Sequence, residues 1–149
     1  MSVLTAIADL KAAVKTRWET AGLEAHFPGG LWSGRLPADV TRRYPYSVMT
    51  VAKAEEPQYF APVEVGDSFV AFLTLTLTTY NVGEAETSRA TARAEAVLDW
   101  KPFAATDTMV LAVRPTGDAR LEPDPTTARG ENVWQAEIGW HFTVQRTVR

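Results

Sequence analysis

The sequence predicts an α+β domain: a mostly antiparallel sheet with two helices packed on one face. Three patterns predict it. Residues 68–80 and 133–145 alternate apolar and polar side chains with period two, as strands with one buried and one wetter face do. Residues 3–21 and 84–100 repeat their apolar side chains at helical spacing. The strand-like segments fall in runs around the second helix, and they alternate. A parallel sheet covered on both sides would show continuous apolar runs instead.

The 149 residues suit a single domain spanning 1–149. Burying roughly 70% of the unfolded surface, a domain of this size can hold a core without covalent staples. There is no cysteine. That removes disulfides, thiol nucleophiles and cysteine-based metal centres from consideration. A net charge of −3 gives no concentrated basic surface, so no specific nucleic-acid partner is expected. No stretch approaches the ~20 apolar residues of a membrane helix, and the N-terminal MSVLTAIADLKAAVK lacks the basic start of a targeting signal. The expectation is a soluble chain made in a cytoplasm, with no membrane partner.

In the first helix, Val3, Ile7, Leu10, Val14 and Trp18 lie along one face, Ser2 is a candidate N-cap, and Gly22 followed by Leu23 is a stop signal. A Gly/Pro passage, 26–30, leads to a short apolar run, Leu31 to Leu36. Pro45 opens a strand over Tyr46 to Ala52, a position that spares the ladder a missing donor. Residues 53–66 read as an exposed connection, with Tyr59 and Phe60 unusually placed in its middle.

The strand from Ser68 to Tyr80 sets Phe69, Ala71, Leu73, Leu75 and Leu77 on one face, and Thr74, Thr76 and Thr78 on the other. The second helix packs Ala90, Ala94, Val97 and Leu98. Met109 to Arg114 reads as a strand closed by Pro115, and 115–131 as a polar loop. The last strand, from Val133 to Gln145, points Trp134, Ala136, Ile138, Trp140, Phe142 and Val144 one way. The expected order is helix, three or four strands, helix, two strands.

Catalytic templates fail one by one, so no catalytic, cofactor or metal residue is assigned and no enzyme is expected. Gly29-Gly30 lacks the Gly-Lys-Ser/Thr of a phosphate loop, and Gly30-Leu31-Trp32-Ser33-Gly34 misses nucleophile-elbow spacing. Glu137 and His141 share a strand face but stand roughly 13 Å apart, too far to chelate one ion. Glu55-Glu56 and Glu84/Glu86 suit a solvated surface better than a cleft. Trp18, Trp134 and Trp140 lie on apolar faces and suit the core; Trp32 and Trp100 are not assigned to it.

The landmarks YPYSVMTV, FVAFLTLTLTTYNV running into ETSRATARAEAVLDW, and the late VWQAEIGWHFTVQR resemble a family. They look like the small tail-completion, or tail-terminator (head–tail joining), proteins of long-tailed bacteriophages and prophages. Those proteins share this size and a final strand with an early tryptophan and a terminal arginine. The resemblance covers most of the chain, but the 53–66 and 115–131 segments depart from it. It implies a structural virion protein, assembled in the bacterial host cytoplasm. Such a protein forms a homo-oligomeric ring, typically a hexamer, that caps the tail-tube protein and meets a head-side connector protein.

For that role the residues offer two candidate subunit interfaces. The threonine face at Thr74, Thr76 and Thr78 either meets a neighbour or lines a lumen, or is an ordinary solvated sheet face. Tyr59 and Phe60 either form an arm reaching the next subunit, or fold back on their own core. A different class is a small soluble α+β ligand-binding domain, with an apolar pocket lined by Trp18, Trp134, Trp140 and Phe142.

Overall fold

The computed structural model describes residues 3–54, 68–98, 104–105, 108–127 and 131–147. The elements run α1 (Val3–Thr20), a 3-10 turn (Leu23–Ala25), β1 (Leu31–Ser33), β2 (Tyr46–Lys53), β3 (Ser68–Val82), α2 (Glu84–Leu98), β4 (Ala104–Ala105), β5 (Thr108–Pro123) and β6 (Val133–Thr147). They make one six-stranded sheet of order β1-β2-β3-β6-β5-β4. Every neighbouring pair is antiparallel except β1 with β2. Both helices lie on one face, the α+β architecture the periodicities predict.

The core sits between that face and the helices. Leu73, Leu75 and Leu77 of β3 are sealed, as are Trp140, Phe142 and Val144 of β6. Leu10, Val14 and Trp18 of α1 and Ala90, Ala94 and Leu98 of α2 close over them. Ala6 and Ala13 widen the buried stripe of α1, and Ile7 is half-buried at its margin. The Arg17 Nε donates to the Val97 carbonyl at 2.9 Å, tying the two helices together. Gly22 stops α1 at φ 73°, the left-handed conformation that side chains disfavour, and Leu23 tucks into the core behind it. Ser2 lies outside the described residues.

The helix-covered side also buries polar groups. Ser47 and Thr79 face each other across β2 and β3 and share a hydrogen bond of 2.8 Å. Thr87 and Thr91 are buried in α2, each hydroxyl returning to the carbonyl four residues back. Trp134 is only half-buried; its Nε1 donates to Asn132 Oδ1 at 2.9 Å. It sits at the sheet's end, not in the core the sequence assigned it.

Three expectations about strands need correction. The run from Leu31 to Leu36 forms a strand only to Ser33, and it pairs parallel to β2. β4 has no counterpart in the sequence reading. Pro115 does not close β5, and the expected 115–131 loop is strand as far as Pro123. Pairing breaks between Pro115 and Ala119, opposite Gly139, then resumes to Pro123 opposite Trp134. A proline is tolerated here because β5 has a free outer edge along this stretch among the described strands. A Cβ on Gly139 would meet the Thr116 side chain at 3.2 Å, so the bulge folds down into the space this glycine leaves.

Candidate functional site

The helices leave the other sheet face open, and its polar character follows from the alternation. On it, Thr74, Thr76 and Thr78 stand opposite Ala52, Thr50 and Val48 of β2, and opposite His141, Gly139 and Glu137 of β6. All three threonines are half-buried, and no second layer of described residues covers them. Thr74 Oγ1 and His141 Nδ1 share a hydrogen bond of 3.2 Å. On β5, Arg114 and Arg120 continue the rows of His141 and Glu137. Gln135 donates to Glu122 at 2.7 Å. The face is therefore a hydroxyl-rich wall that grades into charged residues toward β5.

Tyr59 and Phe60 lie outside the described residues, as do Glu55, Glu56 and Trp100. Glu84 and Glu86 open α2 on its exposed side, with Glu86 ion-paired to Arg89. Trp32 is half-buried and donates to the Gly29 carbonyl at 2.7 Å. No group of histidines and carboxylates among the described residues is arranged to hold a metal ion. No described helix is long and apolar enough to cross a membrane. Of the aromatic residues suggested for a ligand pocket, three are solid core: Trp18 packs on Phe27 with ring centres 4.6 Å apart, and Trp140 and Phe142 are sealed, while Trp134 stands apart at the sheet's end.

One cluster escaped the sequence reading. At one end of the open face, Tyr46 stacks on Tyr80 with centroids 4.7 Å apart, and Tyr44 leans on Tyr46 at 5.7 Å. Burial pushes the Tyr46 hydroxyl up to about 12 and raises Tyr80 as well. Arg42 is raised above its ordinary value, first by its charge interaction with Tyr46, and it hydrogen-bonds Tyr44. Asp124 is buried beside them. Its Oδ1 accepts from the Thr126 amide at 3.0 Å and from the Thr126 hydroxyl at 2.8 Å, while Oδ2 has no hydrogen-bond partner among the described residues. A surface depression of about 640 Å³ beside Arg42 and Tyr44 is floored by Val82, Asn132 and Val133. The sequence signal was the aromatic–basic run Arg42-Arg43-Tyr44-Pro45-Tyr46; what it lacked was Tyr80 and Asp124, which only pairing brings near.

The tyrosine cluster fixes a pH dependence. The folded Tyr46 holds its proton above its ordinary value of 10.0, so unfolding releases protons in alkaline solution. The stabilisation is complete below pH 10.0 and is lost as pH rises toward about 12. Melting temperature should fall over that window, and Tyr46→Phe should flatten the fall. An equally steep fall in both proteins would show that Tyr46 is not its source.

Fold and face together define an α+β domain whose helices lie on one side of the sheet and whose polar wall and outer sheet edges are uncovered among the described residues. That fold is shared with a solved chain described as "Virion of native gene transfer agent (GTA) particle". The two superpose with a TM-score of 0.64 at 15% identity, over 94% of this chain and 98% of that one. A second solved chain, 16% identical over 89% of this chain and 92% of its own, reaches a TM-score of only 0.47. No family model matches the chain, and no curated protein matches it.

Proposed function

We propose that this chain is a structural subunit of a phage-like particle, built into a ring at the head-proximal end of the tail tube, where it ends tail growth and joins tail to head. The observation that carries the reading is the near-complete, end-to-end sharing of a fold with a virion chain. The landmarks of the sequence support the finer tail-terminator role, and with it a homo-oligomer of about six copies. Closed rings use heterologous contacts between two different patches of each subunit. The partners are then the tail-tube protein on one rim and a head-side connector protein on the other, and assembly takes place in the bacterial host cytoplasm. The chain acts in this reading by shape and surface, not by catalysis.

Deleting the gene in the producing bacterium tests the role. Electron micrographs should show tails of uncontrolled length, or tails and heads that stay apart. Particles of normal form from the deletion strain would overturn it. Tyr59→Ala combined with Phe60→Ala tests the arm separately: normal particles made with that protein would remove the arm and leave the ring.

A further inference from the structure

Among the described residues, the sheet's two ends carry matching free edges. On one side β1 is outermost. On the other, β4 covers only Thr108 and Met109 of β5, so the stretch from Ala119 to Pro123 has no described strand beside it. Residues 119–123 are exposed on both faces, and Leu121, at 39% exposure, is one of few large apolar side chains left open to solvent among the described residues.

These edges stand at the same height. Following the register across the sheet, Leu31, Ser47, Thr79, Ala136 and Leu121 form one row. Trp32, Val48, Thr78, Glu137 and Arg120 form the next, and Ser33, Met49, Leu77, Ile138 and Ala119 the one after. Strand directions agree as well. β1 runs with β2, and three antiparallel steps separate β2 from β5, so β5 runs opposite to β1.

The backbone groups also match. Ser47 donates to the Gly30 carbonyl and Gly34 donates to the Met49 carbonyl, so alternation turns the peptide groups of Leu31 and Ser33 outward. Asp124 donates to the Val133 carbonyl, so the same alternation turns those of Leu121 and Ala119 outward on the other edge.

From this we infer that a second copy of this chain adds its β5 edge to β1, antiparallel and without any vertical shift. Leu121 of one copy then lies beside Leu31 of the other on the helix side. Arg120 lies over Trp32 on the open side, where a guanidinium over an indole is favourable. Ala119 pairs with Ser33. The contact joins two different edges, so it is heterologous, and rotation about an axis along the strands keeps every polar face on the same side of the assembly. The bulge at 116–118 and the absent N–H of Pro123 bracket the open stretch, which limits the docked strand to a few residues and guards against endless edge pairing. The pairing stands on the sheet geometry; only its closure into a ring rests on the tail-terminator reading.

The chain has no cysteine, so introduced thiols report cleanly. Ser33 and Ala119 are both exposed and small. In the inferred pairing their Cα atoms come within about 5.5 Å, inside the disulfide range. The full-length Ser33→Cys/Ala119→Cys protein, concentrated and oxidised, should give a ladder of linked dimers, trimers and longer species on a non-reducing gel. Linking should exceed that of a Leu4→Cys/Ala119→Cys control by about tenfold, since only matched geometry closes the bond. Adding Leu121→Asp should suppress the ladder while leaving the melting temperature unchanged.

Linking no better than the control, or none at any concentration, overturns the pairing. So does equal dimer formation by Ala119→Cys alone, which would mean that β5 pairs with β5. Rings visible in micrographs that fail to link through these thiols would sink the edge pairing and spare the ring. A strong ladder, together with normal particles from the gene deletion, would sink the tail-terminator role and spare the pairing.

Discussion

Leu75→Asp is expected to abolish the folded state at room temperature. Leu75 has no exposed surface and lies between Val51 of β2 and Trp140 of β6 in the middle of the helix-covered face. A carboxylate there meets no cation among the described core residues and is sealed from water. An unpaired buried charge costs several kcal/mol, comparable with the total stability of a domain, about 5–15 kcal/mol. Thr76→Lys, one residue along, puts its ammonium on the open face between Thr50 and Gly139 and should change stability by only about 0.5 kcal/mol or less. Circular-dichroism melts of both proteins check the register. A folded Leu75→Asp chain beside an unfolded Thr76→Lys chain would mean that the two faces are reversed.

Gly29→Ala should be the most damaging of the alanine substitutions on the surface side of the core. The backbone at Gly29 runs against the loop before β2: its amide donates to the Pro45 carbonyl at 3.1 Å. A Cβ there would fall 1.9 Å from the Arg43 carbonyl oxygen and 2.6 Å from the Tyr46 Cβ. The first obstacle is backbone, which cannot rotate aside, so the 26–30 passage must lift away from β2. Overpacking of this kind costs typically about 1–3 kcal/mol and more when the backbone has to move, and we expect about 3 kcal/mol by chemical denaturation. The local consequence matters for assembly. Gly30 and Gly34 hold β1 against β2 from either end, so displacing the passage removes β1 from the sheet edge. In hydrogen exchange, the amides of β1 should lose protection well before those of β3. A Gly29→Ala protein as stable as the parent would show that the close approach is relaxed at no cost.

The open threonine wall and the free edges bear on function differently. The wall is broad and polar, and its side chains are half-buried, with hydroxyls already engaged in places, as between Thr74 and His141. The edges offer backbone donors and acceptors that a neighbouring strand can complete. Directional pairing therefore belongs to the edges, and the wall is the surface that an assembly built through them would present.

Periodicity made much of this molecule legible from the sequence. Leu73, Leu75 and Leu77 against Thr74, Thr76 and Thr78 determined a long strand and both of its faces, because side chains on a strand must alternate whatever lies around them. Helical spacing in α1 and α2 likewise determined their buried stripes, with Leu10, Val14 and Trp18 on one and Ala90, Ala94 and Leu98 on the other. Such signals survive in one dimension because each element carries its own record of what it faces. Pairing leaves no such record. Pro115 is an ordinary strand stop until Gly139, facing Thr116 just beyond it, opens the space for a bulge. Ser47 and Thr79 are ordinary surface residues until register sets them side by side in the core. Three residues at 31–33 become a strand only because β2 lies alongside. The Tyr46–Tyr80–Arg42–Asp124 cluster and the level rows from Leu31 to Leu121 depend on residues far apart in the chain being held at one height. That height is set by the hydrogen-bond register between strands, a property of partners and not of any single segment.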